Sequence, residues 1–299
     1  MTHLLIVLNK DENTISYHDA DTGQIVATVD VDQNPHEIAI TRDGTRSYVT
    51  NSGGNTVSVL DNTEFEEVAR ISHPLFKFPH GIGLTDDETE LIVSATGSNR
   101  VFFIDCDTHE VNDVITTHQK ATHMIYFNPG KTQVFIPNIG SNNVTIMDAK
   151  TRDIHTHLPV GRGPEGAGVH PTKDQLYVAN QHDDSLTIFD LTNYQLQTKH
   201  PLGRCPIRLV FSPDGRYAFI PNRESNDLSI IDTERQWEIK RIPTGIWPGG
   251  TVFHPHGDRA YVANNKTNDI SVIDVARLIE VERFGAGIHP DGLGLASIK

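Results

Sequence analysis

The chain has little sulfur and little positive charge. Its 299 residues include two cysteines, three methionines and two tryptophans. Two cysteines cannot build a disulfide framework. Cys106 follows Asp105 at one end of a repeat unit, and Cys205 precedes Pro206 at the opposite end of another, so no disulfide is expected. Lysine and arginine total 25 against 39 acidic residues, a net charge of −14. That balance, with no basic stripe to offset it, argues against nucleic acid or an anionic membrane surface as partner. No apolar run reaches transmembrane length, and no charged start followed by an apolar core marks a leader, so a cytoplasmic protein is expected, with an exported mature form as the alternative. A phosphate-cradling glycine loop, a Cys-x-x-Cys pair and a nucleophile-elbow serine are also missing.

What the chain does have is a repeat. An aspartate closes a short alternating strand at Asp19, Asp61, Asp105, Asp148, Asp190, Asp232 and Asp274, in steps of 42 to 44 residues. A fixed period of this size signals one supersecondary unit copied in series. The clearest copy reads Ser47-Tyr48-Val49-Thr50-Asn51, a Gly53-Gly54-Asn55 turn, then Thr56-Val57-Ser58-Val59-Leu60-Asp61. The first run is β-branched and aromatic, as a buried strand requires, and the second alternates apolar with polar. A third strand is expected from Glu66 to Ile71. A fourth, His36 to Ile40, precedes the pair through the turn Thr41-Arg42-Asp43-Gly44. The same grammar recurs at Phe135-Ile136-Pro137-Asn138, Tyr177-Val178-Ala179-Asn180, Phe219-Ile220-Pro221-Asn222 and Tyr261-Val262-Ala263-Asn264.

These strings resemble the repeats of the YVTN-type β-propeller family over essentially the whole chain. The resemblance implies an all-β fold, a seven-bladed propeller of four-stranded blades in one domain spanning 1–299. It implies little about activity, because such a scaffold hosts many functions. The two ends of the sequence suggest how the ring closes. His3 to Asn9 aligns with the second strand of a blade, so the innermost strand of blade 1 is missing there. Pro290 to Ala296 aligns with Pro79 to Leu84, an innermost strand, and is expected to complete blade 1.

The innermost strands share the pattern Pro-x-x-apolar, and the residue after the proline is expected at the mouth of the central channel. Read around the ring, that position is His36, His80, His123, Glu165, Ile207, Gly249 and Asp291. Three histidines and a carboxylate on consecutive blades, with a second carboxylate from blade 1, would share one space. Neutral imidazoles bind Zn²⁺, Fe, Ni or Cu, and three protein ligands with an open position characterise catalytic metal sites. The expected ligands of a divalent transition metal (Zn, Fe, Ni, Mn or Cu) are His36, His80, His123 and Glu165. Glu165 and Asp291 are also candidates for general base or orienting carboxylate, and Arg208, one residue inside the ring, for charge stabilisation. Histidine is abundant, 16 of 299, so a water-filled channel lined by imidazoles is the plainer alternative.

Pro79-His80-Gly81-Ile82, and more loosely Pro35-His36-Glu37-Ile38, is similar to strings of the streptogramin B lyases, also seven-bladed propellers. That similarity implies channel-mouth histidines working with a divalent metal to open a cyclic ester. The strands differ, Tyr-Val-Thr-Asn-like here against Trp-Phe-Thr-Glu-like there, so the substrate does not transfer. The expectation is a metal-dependent lyase or lactone- or ester-opening enzyme acting on a small molecule, as a monomer. The alternative is a non-catalytic propeller scaffold that binds a protein or small ligand.

Loops expected on the histidine face add Lys77, His118, Lys120, Arg162, His182, Arg204, Arg223, Lys266 and His289, with Phe76 and Trp247 as apolar contributors. Trp247 is the best candidate for an apolar wall. The recurring Asn9, Asn51, Asn138, Asn180, Asn222 and Asn264 are expected to use left-handed tolerance and side-chain-to-backbone bonds at strand ends. His254 and His256 flank Pro255 in a turn on the opposite face, a pair too small to indicate a metal by itself.

Overall fold

A computed structural model describes residues 2–298. Seven four-stranded antiparallel sheets account for its regular structure, and no helix occurs among the described residues. Each sheet is one blade. Blade 2 is typical: Pro35–Ile40 lies innermost, followed outward by Arg46–Asn51, Thr56–Asp61 and Glu66–Ser72. Blade 1 is built from both ends of the chain. Its innermost strand is Pro290–Ile298, paired with Thr2–Asn9, then Thr14–Asp19 and Ile25–Asp30.

The core is divided among the blade interfaces. Seven clusters of buried apolar residues occur, one between each pair of neighbouring blades. Tyr48, Val57 and Val59 of blade 2 meet Leu91, Val93 and Phe102 of blade 3. At the closing seam Leu5 and Val7 of blade 1 meet Tyr261 and Ala263 of blade 7. Alternation supplies both faces: the middle strands are buried on each side, and the outermost strands bury only part of their length. Phe76, read from sequence as a loop contributor to the functional face, belongs to this core and is 1% exposed. Its ring meets Phe102 edge-on at 4.7 Å.

The recurring polar residues are structural. The strand-ending aspartates accept backbone N–H groups two or three residues on, as Asp61 Oδ1 does from Thr63 and Glu64 at 2.8 and 3.0 Å. The asparagines make side-chain-to-backbone bonds as expected, Asn264 Oδ1 accepting from the Gly245 N–H at 3.0 Å, but none of them is left-handed. Asn51 is fully buried, and its Nδ2 donates across the hairpin to Thr56 Oγ1 at 3.1 Å and Ser58 Oγ at 2.8 Å. Asn222 and Asn264 repeat this with Asp227 and Ser229, and with Asp269 and Ser271. The left-handed backbone sits four residues later, at Asn13, Asn55, Asn99, Asn142, Asp184, Asn226 and Asn268. A strand-end side chain that already reaches the next strand leaves the turn conformation to residues inside the turn. Both cysteines are buried and free, in keeping with the sequence reading.

Candidate functional site

Every innermost strand departs from regular pairing near the ring position. The ladders of blades 2, 3, 5 and 7 slip at Pro35/Glu37, Pro79/Ile82, Pro164/Gly166 and Pro248/Thr251. In blades 4 and 6 the inner strand shrinks to Tyr126–Phe127 and Val210–Phe211, preceded by single bridges at Thr122 and Pro206. Such irregularities re-aim side chains. Here they affect the residues that follow the Pro or Thr at the channel mouth.

The structure brings the sequence candidates together. His36, His80, His123, Glu165 and Asp291 are all buried. The three imidazoles form a row, with ring centroids 4.2 Å apart for His36–His80 and 3.7 Å for His80–His123. A carboxylate stands at each end. His36 Nε2 lies 3.5 Å from Asp291 Oδ2, and His123 Nε2 lies 3.8 Å from Glu165 Oε1. The outer rings are oriented from behind: His36 Nδ1 lies 3.2 Å from Asn34 Oδ1, and His123 Nδ1 lies 3.0 Å from Thr96 Oγ1. His80 Nδ1 is buried without a partner among the described residues.

Arg208 ties the carboxylates together across the ring. Its guanidinium contacts Asp291 Oδ1 at 2.6 Å and also Glu37 Oε1, whose chain position is 171 residues away. Its backbone N–H donates to Glu165 Oε2 at 2.6 Å. Arg208 adopts φ of +51°, a left-handed conformation that a long side chain enters only under tertiary constraint. Lys10 reaches Asp291 from the rim at 3.4 Å.

This crowding moves the proton affinities. Burial, and then the neighbouring Lys10, Arg208 and His123, outweigh Asp291 and hold the His36 imidazole down at about 3. Burial and the flanking imidazoles hold His80 well below its usual range. Both rings are therefore neutral at pH 7. Burial alone would raise Asp291 and Glu165, but Arg208 and His36 hold Asp291 well below the usual carboxylate range. The His123 contact and Arg208 bring Glu165 to about 2. Glu37 goes the other way: burial, and then the Asp291 and Glu165 charges, outweigh Arg208 and push its carboxyl up to about 7.

A stability prediction follows for His36. Its folded-state value lies below the unfolded 6.5, so its contribution is complete above pH 6.5 and lost as pH falls toward 3. From pH 6.5 to 4.0 this one group removes roughly 3 kcal/mol of wild-type stability. The variant His36→Gln is expected to lose that much less over the same interval in urea unfolding. Equal acid losses in both proteins would contradict the assignment.

Glu37 and Tyr126 were missed by the sequence reading. Glu37 occupies the same place in blade 2 that Arg208 occupies in blade 6, two residues after the proline. Opposite charges at matching repeat positions were the available signal. The Tyr126 hydroxyl is buried without a hydrogen-bond partner among the described residues. Burial and the Glu165 and Glu37 charges push it well above its ordinary value.

At the Asp291 end of the site, a small depression of about 80 Å³ is lined by Lys10, Ile207, Arg223, Trp247, Gly249 and Asp291. Trp247 is 41% exposed. Arg223 and Lys266 sit 5.8 and 5.1 Å from its ring centroid. Arg162 is instead held by Asp183 at 2.6 Å.

Neutral imidazoles and carboxylates suit a transition metal by donor type. Their spacing here is that of a stack. Three imidazoles sharing one ion at about 2.0–2.1 Å stand with ring centroids roughly 5 Å apart, wider than this row. Among the described residues, no group of three or more His, Cys, Asp or Glu side chains is set to hold a metal as it stands.

Residues 45–297 match the family described as YNCE-like beta-propeller. The chain belongs to that family. No curated protein matches it by sequence. Among similar solved structures is hydrazine synthase of Kuenenia stuttgartiensis, 21% identical, TM-score 0.83, covering 91% of this chain and 92% of that one. The periplasmic gluconolactonase PpgL of Pseudomonas aeruginosa is 18% identical, TM-score 0.82, with both chains covered fully. A putative 6-phosphogluconolactonase of Bacteroides fragilis is 15% identical, TM-score 0.81, covering 99% and 98%. At these identities the likeness is one of fold.

Proposed function

We propose that this YNCE-like propeller opens a lactone or related cyclic ester of a small anionic molecule at the channel mouth. The observation that carries the reading is the row of three buried imidazoles closed at each end by a carboxylate. The depression at its Asp291 end suits the substrate class. Lys10 and Arg223 offer positive charge to a carboxylate or phosphate, and Trp247 offers a flat apolar wall for a ring. Two propellers of similar fold bear names that denote lactone opening.

His123 is the proposed general base, because Glu165 beside its Nε2 stabilises the imidazolium that forms. It takes a proton from water as the water oxygen bonds to the lactone carbonyl carbon. The ring C–O bond then breaks, and the proton passes from His123 to the departing alkoxide. Lys10 lies at the rim to steady the developing oxyanion. Asp291 and Asn34 hold His36, and the row holds His80 in place. In an alternative form of the proposal the row re-spaces and His36, His80, His123 and Glu165 would hold a divalent transition metal, with His123 a ligand instead of the base. Bound there, it would supply Lewis-acid polarisation of the carbonyl.

The test is a panel of sugar-acid lactones and small cyclic esters, followed by proton release. Untagged protein is assayed after chelation and after adding back Zn²⁺, Ni²⁺, Mn²⁺ or Fe²⁺, with metal content read by elemental mass spectrometry. The expected result is ring opening above background that falls roughly 100-fold or more in folded His123→Ala. Opening that survives chelation, in protein without metal, removes the metal from the proposal and leaves the base. If no lactone or ester opens under any condition, the catalytic reading fails and a ligand-binding scaffold takes its place.

A further inference from the structure

A second histidine cluster lies on the face away from the channel mouth, at the seam where blade 1 meets blade 7. His254 and His256 come from the turn after blade 7's innermost strand, and His3 from the start of blade 1's second strand. The ring centroids form a triangle: 4.8 Å for His3–His254, 5.5 Å for His3–His256 and 4.8 Å for His254–His256. Three imidazoles around one ion stand roughly 5 Å apart by the criterion the channel row does not meet.

The repeat shows why His254 is unusual. Its counterpart in blade 5 is His170, likewise followed by proline. Both nitrogens of His170 are used. Nδ1 accepts from the Thr172 and Lys173 N–H groups at 3.1 Å, and Nε2 meets Gly215 O at 3.0 Å, in the next blade's turn. The blade after His254 is blade 1, whose inner and second strands come from opposite ends of the chain. No turn like Ser212–Gly215 joins them. His254, 2% exposed, keeps a buried Nε2 with no partner among the described residues. His3 stands beside it instead.

The remaining contacts decide which nitrogens a metal would take. His254 Nδ1 accepts from the His256 backbone N–H at 3.3 Å and lies 3.5 Å from Asp258 Oδ1, so Nε2 carries the proton in the metal-free ring; for a metal to bind Nε2 that proton moves to Nδ1, where Asp258 is placed to accept it. A carboxylate behind an imidazole fixes the far nitrogen as a ligand. His3 Nδ1 is engaged with Ser297 Oγ at 2.9 Å, which leaves its Nε2 available. The donors do not converge as they stand, but His256 is exposed and free to rotate toward the other two.

We propose that His3, His254 and His256 form a site for a divalent transition metal of the Zn²⁺ or Ni²⁺ type, which clasps blade 1 to blade 7. The site is separate from the channel row and does not depend on the lactone reading. A metal there ties the first strand of the chain to a turn more than 250 residues away and stabilises the folded ring only.

The experiment uses the full, untagged chain after chelation, titrated with ZnCl₂ or NiCl₂ by calorimetry and by thermal unfolding. The wild type is expected to bind one equivalent more than His256→Ala and to gain roughly 4–6 °C in Tm at a hundredfold excess over Kd. His256→Ala, altered at an exposed position, is expected to keep the metal-free Tm and lose that gain. Its affinity at this site should fall at least roughly 100-fold. His3→Ala should behave the same way, and Co²⁺ should show tetrahedral visible absorption from one site more in the wild type than in either variant. Identical stoichiometry and Tm gain in wild type and His256→Ala, or no metal bound by wild type, overturns the proposal.

Discussion

Removing residues 290–299 is expected to abolish cooperative folding at 25 °C. The innermost strand of blade 1 pairs with Thr2–Asn9 across seven register positions. It also carries buried Leu293 into the seam with blade 7 and Ala296 into the core shared with blade 2. Neighbouring backbones depend on it as well. A Cβ placed on Gly44 would meet the Ser297 backbone within 3 Å, so the blade 2 turn rests directly on this strand. Seven ladder positions at about 0.5–1.5 kcal/mol per hydrogen bond, plus the lost burial, come to on the order of 10 kcal/mol. That rivals the whole stability of an ordinary domain. The deletion also exposes Leu5, Val7 and the Tyr261 side of blade 7, which invites association. Circular dichroism during urea unfolding measures this. A single sigmoidal transition with a midpoint close to wild type would show that blade 1 stands on three strands and that ring closure is dispensable.

Replacing Arg208 with methionine is expected to destabilise the protein by about 3–5 kcal/mol at pH 8, because it leaves Glu37 and Asp291 buried beside each other without their shared cation. The size of the loss should depend on pH. Glu37 already has a raised folded-state value of about 7 with Arg208 present. A raised carboxyl contributes stability below its unfolded value and loses it as pH rises through the folded one. Without the guanidinium the folded value rises further, so the deficit of Arg208→Met should shrink as pH falls from 8 to 5.5 and Glu37 takes up a proton. Adding Glu37→Gln removes one of the stranded charges. The double variant should recover roughly 1–3 kcal/mol relative to the sum of the two single changes. Urea unfolding of the four proteins at both pH values measures each term. A loss under about 1 kcal/mol at pH 8 would mean that water reaches these carboxylates and that the cluster is no clamp.

Much of the architecture could be read from local pattern. Strand identity followed from alternation at Thr56–Asp61 and its six copies. The blade count followed from the spacing of the closing aspartates, and ring closure from the resemblance of Pro290–Ala296 to Pro79–Leu84. Each is a short-range signal repeated seven times, and repetition makes a weak signal unambiguous. The alignment of repeats also placed His36, His80, His123, Glu165 and Asp291 at one level, because equivalent positions in a closed ring face the same axis.

Other features could not be read this way. The asparagines were expected in left-handed turns, yet they bond across the hairpin while residues four places later take the positive φ. Phe76 looked like a rim residue and is core, since a loop residue next to a strand can turn into an interface. The partnership of Glu37 with Arg208 crosses 171 residues, and no periodicity within one blade announces it.

The sequence by itself determined the seven-bladed ring, the absence of a disulfide and the level at which three histidines and two carboxylates gather. Those depend on pattern within a repeat and on the symmetry that copies it. Only the tertiary structure decided how the gathered groups meet. It stacks the channel imidazoles at 3.7 and 4.2 Å, places one arginine between carboxylates from two other blades, and joins His3 to His254 and His256 at the seam. Those outcomes arise where the repeat is broken, by slipped inner strands and by a blade made from both ends of the chain. A contact across a ring is set by closure geometry, which no single segment contains.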